Sequence, residues 1–305
     1  MERRSYLKAA GAVGLGSVAL LAGCLGSNRR RFPWSSVDQE WLPAPATLYE
    51  DEDGDENYQV LSTAPATVDQ YAAELTDQTW EAYQGTWLDW ETANPVAEEV
   101  ERITVGSHDD FSFDVAEHDI DDDVLVENLG DLGYEAAGSY EEFDLFEGPE
   151  EDLARAVGEG VLLSASGTDP LGMLETLVDS AAGDVDRYEQ VNDDVATVVG
   201  ETDTRYNYSL FPYAQEQTGN VPQQGVFAGA VAHGQNAILG EDSLEGVRVE
   251  VFSVEEDAQA ADFETYVEAN PLFDGADEVD IQTEGTVARI EYTVEYDVVT
   301  QDQLL

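Results

Sequence analysis

The side chains best suited to chemistry in this sequence are its three histidines, His108, His118 and His233. Two of them lie ten residues apart, and each is followed by an aspartate, in the pairs His108-Asp109 and His118-Asp119. Imidazole and carboxylate groups together bind divalent metal ions, so these four residues form one candidate metal site. The alternative is that both histidines lie in turns at an acid-rich surface, where neighbouring aspartates are expected from composition alone.

Most other catalytic patterns are absent from the sequence. Lys8 is the only lysine, so the rest of the chain has none for Schiff-base chemistry or for a phosphate-binding G-x-x-x-x-G-K-[ST] loop. Neither G-x-S-x-G nor H-E-x-x-H occurs. The paired carboxylates of a glycoside hydrolase cannot be singled out among 67 acidic residues. We therefore predict a non-enzymatic protein without a cofactor and keep a carboxylate- or metal-dependent hydrolase as an alternative.

The single cysteine, Cys24, follows a stretch that has the order of a signal peptide. With no second cysteine, the chain can form neither an internal disulfide nor a cysteine-ligated metal site. Residues 9–23 are 15 uncharged small or apolar residues, shorter than the roughly 20 that a membrane-spanning helix needs. They follow a basic string that contains Arg3, Arg4, Tyr6, Leu7 and Lys8.

Two motifs in this stretch resemble known export signals. The string R-R-x-Y-L-K at residues 3–8 resembles the twin-arginine translocation signal. The string Leu21, Ala22, Gly23 and Cys24 resembles the lipobox of exported lipoproteins. This resemblance implies cleavage before Cys24, lipid on its sulfur and anchoring of the protein at the extracellular face of the cell membrane. It divides the N-terminal region into a signal peptide (1–23) and a lipidated tether (24–57), with membrane lipid as the partner of Cys24.

The charge of the chain is strongly one-sided. The formal net charge is −55, from 12 basic and 67 acidic residues. Without residues 1–23 the chain has 9 basic and 66 acidic residues, and from Phe32 onward it has six arginines and no lysine. Self-repulsion on this scale destabilises a compact state unless salt screens it. The composition resembles that of proteins from halophilic archaea, and implies hydrated salt cations at the surface.

This charge also limits the choice of partners. Phosphate contacts need clustered lysine and arginine, so we expect no nucleic acid partner. A protein that binds a polycation or stores cations is an alternative explanation of the acidic residues. Their spread along the whole chain, rather than in one block, favours the salt-adapted surface.

Hydrophobic periodicity predicts an α+β protein with antiparallel sheets and helices on one face. We expect one α+β unit over 58–200 and a second, richer in strand, over 201–305. Two segments, 111–147 and 247–296, share the order β-α-β-β, which suggests a duplicated ferredoxin-like unit. The cleanest alternation, at 286–296, predicts a strand with one buried face. Asp121 and Asp169 are predicted to begin helices over 121–132 and 169–183, which Gly133 and Gly183 end. Further predictions are a helix over 149–158 and a strand over 195–200.

Part of the body resembles exported α+β proteins of prokaryotes that have no characterised activity. The resemblance rests on EFDLFEG (142–148), AVGEGVLLSAS (156–166) and TLVDSAAGDVDRY (176–188). It implies a fold type and no activity.

The sequence also contains one N-x-[ST] sequon, at Asn207, which is a candidate glycosylation site within a predicted strand. Together these observations predict a membrane-anchored extracytoplasmic lipoprotein of a halophile, with a binding or structural module as its body. A solute-binding lipoprotein of a transport system is the first alternative, and it should have two lobes around a ligand cleft. The secreted hydrolase is the second, and it should place acids with raised pKa values in a cleft.

Overall fold

The computed structural model describes residues 39–48, 57–66, 70–71, 73, 75–76, 100–202, 207–240, 242–296 and 299. The predicted signal peptide, Cys24 and the first part of the predicted tether lie outside these residues. None of the helices in the described part of the chain is both long and apolar enough to cross a membrane.

The described strands form one antiparallel sheet of twelve strands, in the order β11-β12-β10-β9-β8-β1-β2-β3-β7-β6-β5-β4. The sheet is continuous across residue 200, because β8 pairs with β1 on one side and β9 on the other. The strands are β1 (Gln59–Thr63), β2 (Val100–Ser107), β3 (Ser112–His118), β4 (Glu135–Tyr140), β5 (Phe143–Glu147), β6 (Leu153–Gly158), β7 (Val161–Ser166), β8 (Asn207–Pro212), β9 (Ala230–Leu239), β10 (Ser243–Phe252), β11 (Ala276–Glu284) and β12 (Val287–Glu295).

Seven α-helices and three short 3-10 helices accompany the sheet in the described residues. The α-helices are α1 (Pro45–Leu48), α2 (Asp122–Asp131), α3 (Pro170–Ala182), α4 (Tyr188–Val191), α5 (Asp193–Glu201), α6 (Glu255–Ala260) and α7 (Phe263–Ala269). The 3-10 helices are Gln39–Trp41, Pro222–Gln224 and Pro271–Phe273.

Helices cover both faces of the sheet, which corrects the prediction that they keep to one face. Successive strand residues point to opposite faces, and in β3 both Val115 and Ala116 are buried. Val115 belongs to a core that α3, α4 and α5 cover, whereas Ala116 packs with Leu125 and Leu129 of α2. At the other end of the sheet, α6 and α7 cover the same face as α2. The α+β class and the antiparallel pairing are confirmed.

Helix ends follow the predicted capping chemistry at two places. The Asp121 carboxylate accepts a hydrogen bond from the Asp123 N–H at 3.0 Å and begins α2. Asp169 does the same for α3, accepting from the Gly172 N–H at 3.1 Å, and Gly183 ends that helix with φ +82°. Both helices were predicted within one or two residues of their bounds, as was the strand β12.

Two predicted elements are wrong. Residues 195–200 belong to helix α5, because the Asn192 side chain accepts hydrogen bonds from the N–H groups of Asp194 and Val195 and thereby caps a helix. Residues 149–158, predicted as a helix from Pro149, form a turn and strand β6, which pairs with β5 and β7. In both cases a short apolar run fits two periodicities, and neighbouring contacts decide between them.

The two β-α-β-β segments are present, but they pair differently. In the second segment, β12 returns directly to β10. In the first segment, β5 does not pair with β3, because β6 and β7 lie between them in the sheet. The predicted duplication is therefore unconfirmed.

Part of the predicted tether is packed into the body. Trp41 and Leu42 are buried, and the Trp41 ring lies edge-on to Phe143 with centroids 6.1 Å apart. The Ala44 N–H donates to the Asp186 carbonyl at 2.8 Å, and the Tyr188 N–H donates to the Leu42 carbonyl at the same distance. The folded body thus begins by residue 39, not at residue 58 as predicted.

Candidate functional site

The structure does not bring the predicted metal ligands together. Strands β2 and β3 form a hairpin in which Ser107 pairs with Ser112 beside the turn and Val100 pairs with His118 at the far end. His108 lies in the turn, so about seven strand positions, or roughly 20 Å, separate the two histidines. His108 and Asp109 therefore cannot share an ion with His118 and Asp119. No group of three or more potential ligands is found in the described part of the chain.

Each of these histidines has local contacts instead. The His108 ring stacks on Phe111 at 5.4 Å, and its Nδ1 accepts from the Asp110 N–H at 3.4 Å. His118 is buried, and its Nδ1 accepts from the Ile120 N–H at 3.2 Å. Burial lowers the pKa of His118, and the nearby Asp122 carboxylate offsets part of that effect.

The sequon residue Asn207 begins β8 and pairs with Ala237 of β9. Glycosylation there stays a prediction.

Strands β9 and β10 place a set of polar side chains on one face, in the core next to α7. Arg248 and Glu250 are two residues apart on β10 and so share a face. Directly across from them on β9 lie Gln235 and His233. Arg248 is 6% exposed and Glu250 only 1%, although their neighbours in this core are apolar. We call Arg248, Glu250, Gln235, His233, Tyr213, Tyr266 and Tyr292 the buried polar cluster.

The centre of the buried polar cluster is an ion pair. The Arg248 Nε donates to the Glu250 Oε1 at 2.9 Å, and its Nη2 donates to the same oxygen. The Arg248 Nη1 donates to the Gln235 Oε1 at 3.4 Å. The guanidinium carbon lies 5.1 Å from the centre of the Tyr266 ring, which gives a cation–π contact in a water-excluded place.

A tyrosine–histidine pair extends the cluster towards β8. The Tyr213 hydroxyl lies 2.7 Å from the His233 Nδ1, and the His233 ring stacks on Phe211 at 4.8 Å. Burial, together with the Arg248 cation, holds the pKa of His233 well below its ordinary value. His233 is therefore neutral at physiological pH, and its hydrogen bond with Tyr213 is one between neutral groups.

The protonation of Glu250 depends on two opposed effects. Burial raises the pKa of Glu250 to about 7, and the hydrogen-bonded Arg248 limits the rise. The Glu250 Oε2 has no hydrogen-bond partner in the described part of the chain, and neither has the hydroxyl of Tyr266 or Tyr292. Because these three buried oxygens have no partner there, the stability of the Arg248–Glu250 pair depends strongly on the charge of Glu250.

The cluster is closed by close approaches that only glycine permits. Gly225 ends the 3-10 helix Pro222–Gln224 with φ +68°, and a Cβ there would lie 3.0 Å from the Tyr266 ring and 3.2 Å from the Arg248 Nη2. A Cβ on Gly246 would lie 2.0 Å from the Tyr292 ring. Backbone and rings thus cover the charged atoms, and this arrangement suits a structural or protonation-linked role within the core.

The described arginines are all partly or fully buried, and each makes a specific contact. Arg187 donates from Nε and Nη2 to the Ser180 and Ala181 carbonyls, both at 3.2 Å, at the C-terminal end of α3. Arg289 donates to Glu291 at 2.7 Å, and Arg155 lies over the Tyr134 ring at 4.9 Å. The other two are Arg102, which lies 3.5 Å from the Ser62 hydroxyl, and Arg248. Among the described residues, the exposed charges are therefore carboxylates.

Sequence reasoning did not find the buried polar cluster. The one available signal was the stretch Val247-Arg248-Val249-Glu250-Val251, in which two opposite charges occupy alternate positions of an otherwise apolar strand. Such spacing places both charges on one face of the sheet. The partners on β9, α7 and β12 and just after β8 lie too far away in sequence to be inferred from local pattern.

Comparisons with known proteins identify no family. No family model matches the chain, and no curated protein matches it. Among solved structures, the chain is similar to three crystal forms of TP0453, each at 9% identity and over 84% of this chain. Crystal form III has a TM-score of 0.47 and 95% of its chain covered, form I has 0.42 and 94%, and form IV has 0.45 and 96%. This degree of similarity bears on neither ligand nor activity.

Proposed function

We propose that this chain is a lipid-anchored extracytoplasmic lipoprotein of a halophile, and that its body is a non-enzymatic binding or structural module. The observation that carries the salt-adapted part is the one-sided surface. None of the described arginines is exposed, while exposed carboxylates occur on strands such as β5 and β11 and on helices such as α2 and α6. The export and anchoring parts rest on the strings around Arg3, Arg4 and Cys24.

The placement of the titratable groups supports a module rather than an enzyme. Glu250, whose pKa burial raises to about 7, is 1% exposed and pairs with Arg248, which lies against the Tyr266 ring of α7 and against Gly225. A catalytic acid or base must reach its substrate within hydrogen-bond distance. An enclosed ion pair of this kind supports a fixed internal packing of β9, β10 and α7.

The two alternatives lack a specific observation in their favour. A solute-binding lipoprotein was expected to have two lobes, whereas the described strands form one continuous sheet. A hydrolase was expected to have an acid with a raised pKa in a cleft, whereas Glu250 is 1% exposed. A small pocket of about 270 Å³ beside Pro45, Tyr188 and Asn192 is below the usual size of ligand sites.

The first test concerns export and anchoring. Changing Arg3 and Arg4 to lysine keeps the charge, and we expect precursor to accumulate in the cytoplasm. Changing Cys24 to serine removes the only sulfur that could carry lipid. We expect this variant in the medium or as uncleaved precursor, because in molar salt the attraction of Arg29–Arg31 to anionic lipid is largely screened. Both outcomes are measured by cell fractionation and the mass of the N-terminal peptide.

Matched controls lie just outside the two motifs. Arg29→Lys with Arg30→Lys alters a second arginine pair beyond the signal, and Ser27→Ala alters a small polar residue near Cys24. Both control variants should fractionate like the wild type. Normal surface delivery of the Arg3/Arg4 variant, or mature Cys24→Ser protein that still sediments with membranes, would contradict the proposal.

A further inference from the structure

Among the described strands, the two that end the twelve-stranded sheet differ in charge. At one edge, β11 carries four acids along its nine residues, Asp277, Glu278, Asp280 and Glu284. At the other edge, β4 carries only Glu135, and Ala136–Tyr140 is uncharged. Charged side chains are a common device that prevents edge strands from pairing with other chains. The sequence thus provides this protection at β11 and omits it at β4, in a chain where acids are abundant.

The backbone of β4 is available for pairing. Five of its six residues are exposed, and it pairs with β5 alone among the described strands. A two-residue turn joins the strands, so Tyr140 and Phe143 form the closing hydrogen-bonded pair. Pairs alternate along an antiparallel ladder, so Ser139 occupies a non-hydrogen-bonded position and its N–H and C=O point away from β5.

The hairpin is held in place before any partner arrives. The Tyr140 hydroxyl donates to the Asp179 Oδ1 of α3 at 2.8 Å, and Phe143 packs against Trp41. A bulge between Ala136 and Gly138 bends the start of the strand and limits the regular edge to a few residues. Because this short edge is already ordered, pairing it with another strand costs little conformational entropy, and the contact that it forms is short and selective.

We infer that β4 is an interface between two copies of this chain, joined as antiparallel edge strands. In a pairing centred between Ala137 and Gly138, Glu135 lies opposite Tyr140 of the other copy, so no two carboxylates face each other. The same arrangement at β11, centred on Asp280, would place Asp280 opposite Asp280, which is unfavourable. Pairing of β4 with β4 also has two-fold symmetry and closes as a dimer, whereas β4 with β11 would continue as a filament.

The contact is small, so the dimer forms where copies are concentrated. A few paired residues bury less surface than the roughly 1,200–2,000 Å² of a stable complex. Copies held on one membrane meet that condition, and this source of high local concentration rests on the proposed anchoring. Residue 39, where the described body begins, lies at most about 50 Å of extended chain from Cys24. Trp41 packs on Phe143 of the β4–β5 hairpin, so the described chain begins close to this edge.

Cysteine cross-linking tests the inference in the whole lipoprotein. Cys24 is the only native cysteine, so Ala136→Cys on β4 and Thr283→Cys on β11 each introduce one distinct thiol at an exposed edge position. We expect a flexible bismaleimide to cross-link Ala136→Cys into a dimer and to leave Thr283→Cys monomeric at equal labelling. Equal dimer yields from the two positions, or no dimer from Ala136→Cys, would overturn the inference.

Two further variants separate edge pairing from chance collision. Ser139→Pro removes the outward N–H, and proline is tolerated on an edge strand where that group faces solvent. Combined with Ala136→Cys, it should lower the dimer yield severalfold with an unchanged circular dichroism spectrum. Ala137→Asp, which leaves the backbone intact, should act in the same direction, and an unchanged yield in both would refute strand pairing. Fractionation of the same cells reports anchoring separately, and the cross-link is read in whichever fraction holds the protein.

Discussion

At the scale of single residues, the most unusual feature is an ion pair inside an apolar core. Removing two charges from water costs several kcal/mol each, and their attraction repays this only with good geometry. Here Arg248 donates three hydrogen bonds and lies against an aromatic ring, whereas one oxygen of Glu250 has no hydrogen-bond partner among the described residues. The arginine is thus the better satisfied member, and the glutamate is where the pair responds to pH.

The first prediction at this scale concerns the pH dependence of stability. Burial raises the pKa of Glu250 from an ordinary 4.5 to about 7 in the folded protein. The unfolded chain therefore loses this proton first, so the stability contributed by the neutral carboxyl is present below about pH 4.5 and is lost as the pH rises through about 7. Glu250→Gln is neutral throughout. The unfolding free energy of the wild type, relative to this variant, should fall between about pH 4.5 and 7 and level off above that.

Urea unfolding in about 3 M KCl measures this difference with surface charges screened. Glu245→Gln provides the control, because Glu245 lies on the same strand but is exposed. Its pH profile should run parallel to that of the wild type. If the Glu250→Gln profile also ran parallel to the wild type, Glu250 would not titrate in this window.

At the scale of elements, the clearest outcome is that helix bounds followed from capping residues. Asp121, Asp169 and Gly183 were sufficient to place α2 and α3. The helix α5 was missed because Asn192 was not recognised as its cap, and the valines behind it fit a strand equally well. Local side-chain chemistry fixes an element where it satisfies the end of a helix. It does not fix which strand pairs with which, so the order of the sheet could not be predicted.

A prediction at this scale concerns the segment before β1. Trp41 is 8% exposed and packs on Phe143, so its removal leaves a cavity between this segment and the β4–β5 hairpin. Trp41→Ala should lower the free energy of unfolding by about 3 kcal/mol. Hydrogen exchange should become faster at the Ala44 and Tyr188 amides, which bond across this junction.

Glu40→Ala is the matched control, since Glu40 is the exposed neighbour of Trp41. It should change stability by less than about 0.5 kcal/mol. Protection at Ala44 that survives Trp41→Ala would mean that the segment is held by its backbone bonds alone.

At the scale of the whole molecule, the described arginines are buried or half-buried, whereas many of the acids are exposed. The body from Phe32 has six arginines and 66 acids, and the five described arginines are buried or half-buried and contact carboxylates, backbone carbonyls, a hydroxyl or aromatic rings of this chain. The carboxylates at the surface thus have few cationic neighbours. The sequence revealed the imbalance, but only the fold reveals that none of the described arginines is fully exposed. Their burial depends on partners such as Ser180 for Arg187 and Tyr134 for Arg155. The spacing of these partners from the arginines follows neither the helix nor the strand period, so it could not be predicted.

The last prediction is that folding requires salt. Two like charges 4 Å apart repel by about 1 kcal/mol even at the dielectric of water, and the total stability of a domain is only about 5–15 kcal/mol. At about 0.01 M salt the Debye length is about 30 Å, so each carboxylate interacts with most of the others, whereas at 1 M it is about 3 Å and only near neighbours interact. The protein should be folded in about 3 M KCl and lose structure on dialysis to about 0.05 M. Mild acidification at low salt should restore part of the structure, because protonation removes charge.

Circular dichroism against salt concentration at neutral pH measures the transition, and sucrose at matched osmolality controls for exclusion effects that do not depend on charge. An unchanged spectrum and melting temperature over this range would show that the acidic surface is not a salt adaptation, and would favour a protein that binds polycations instead.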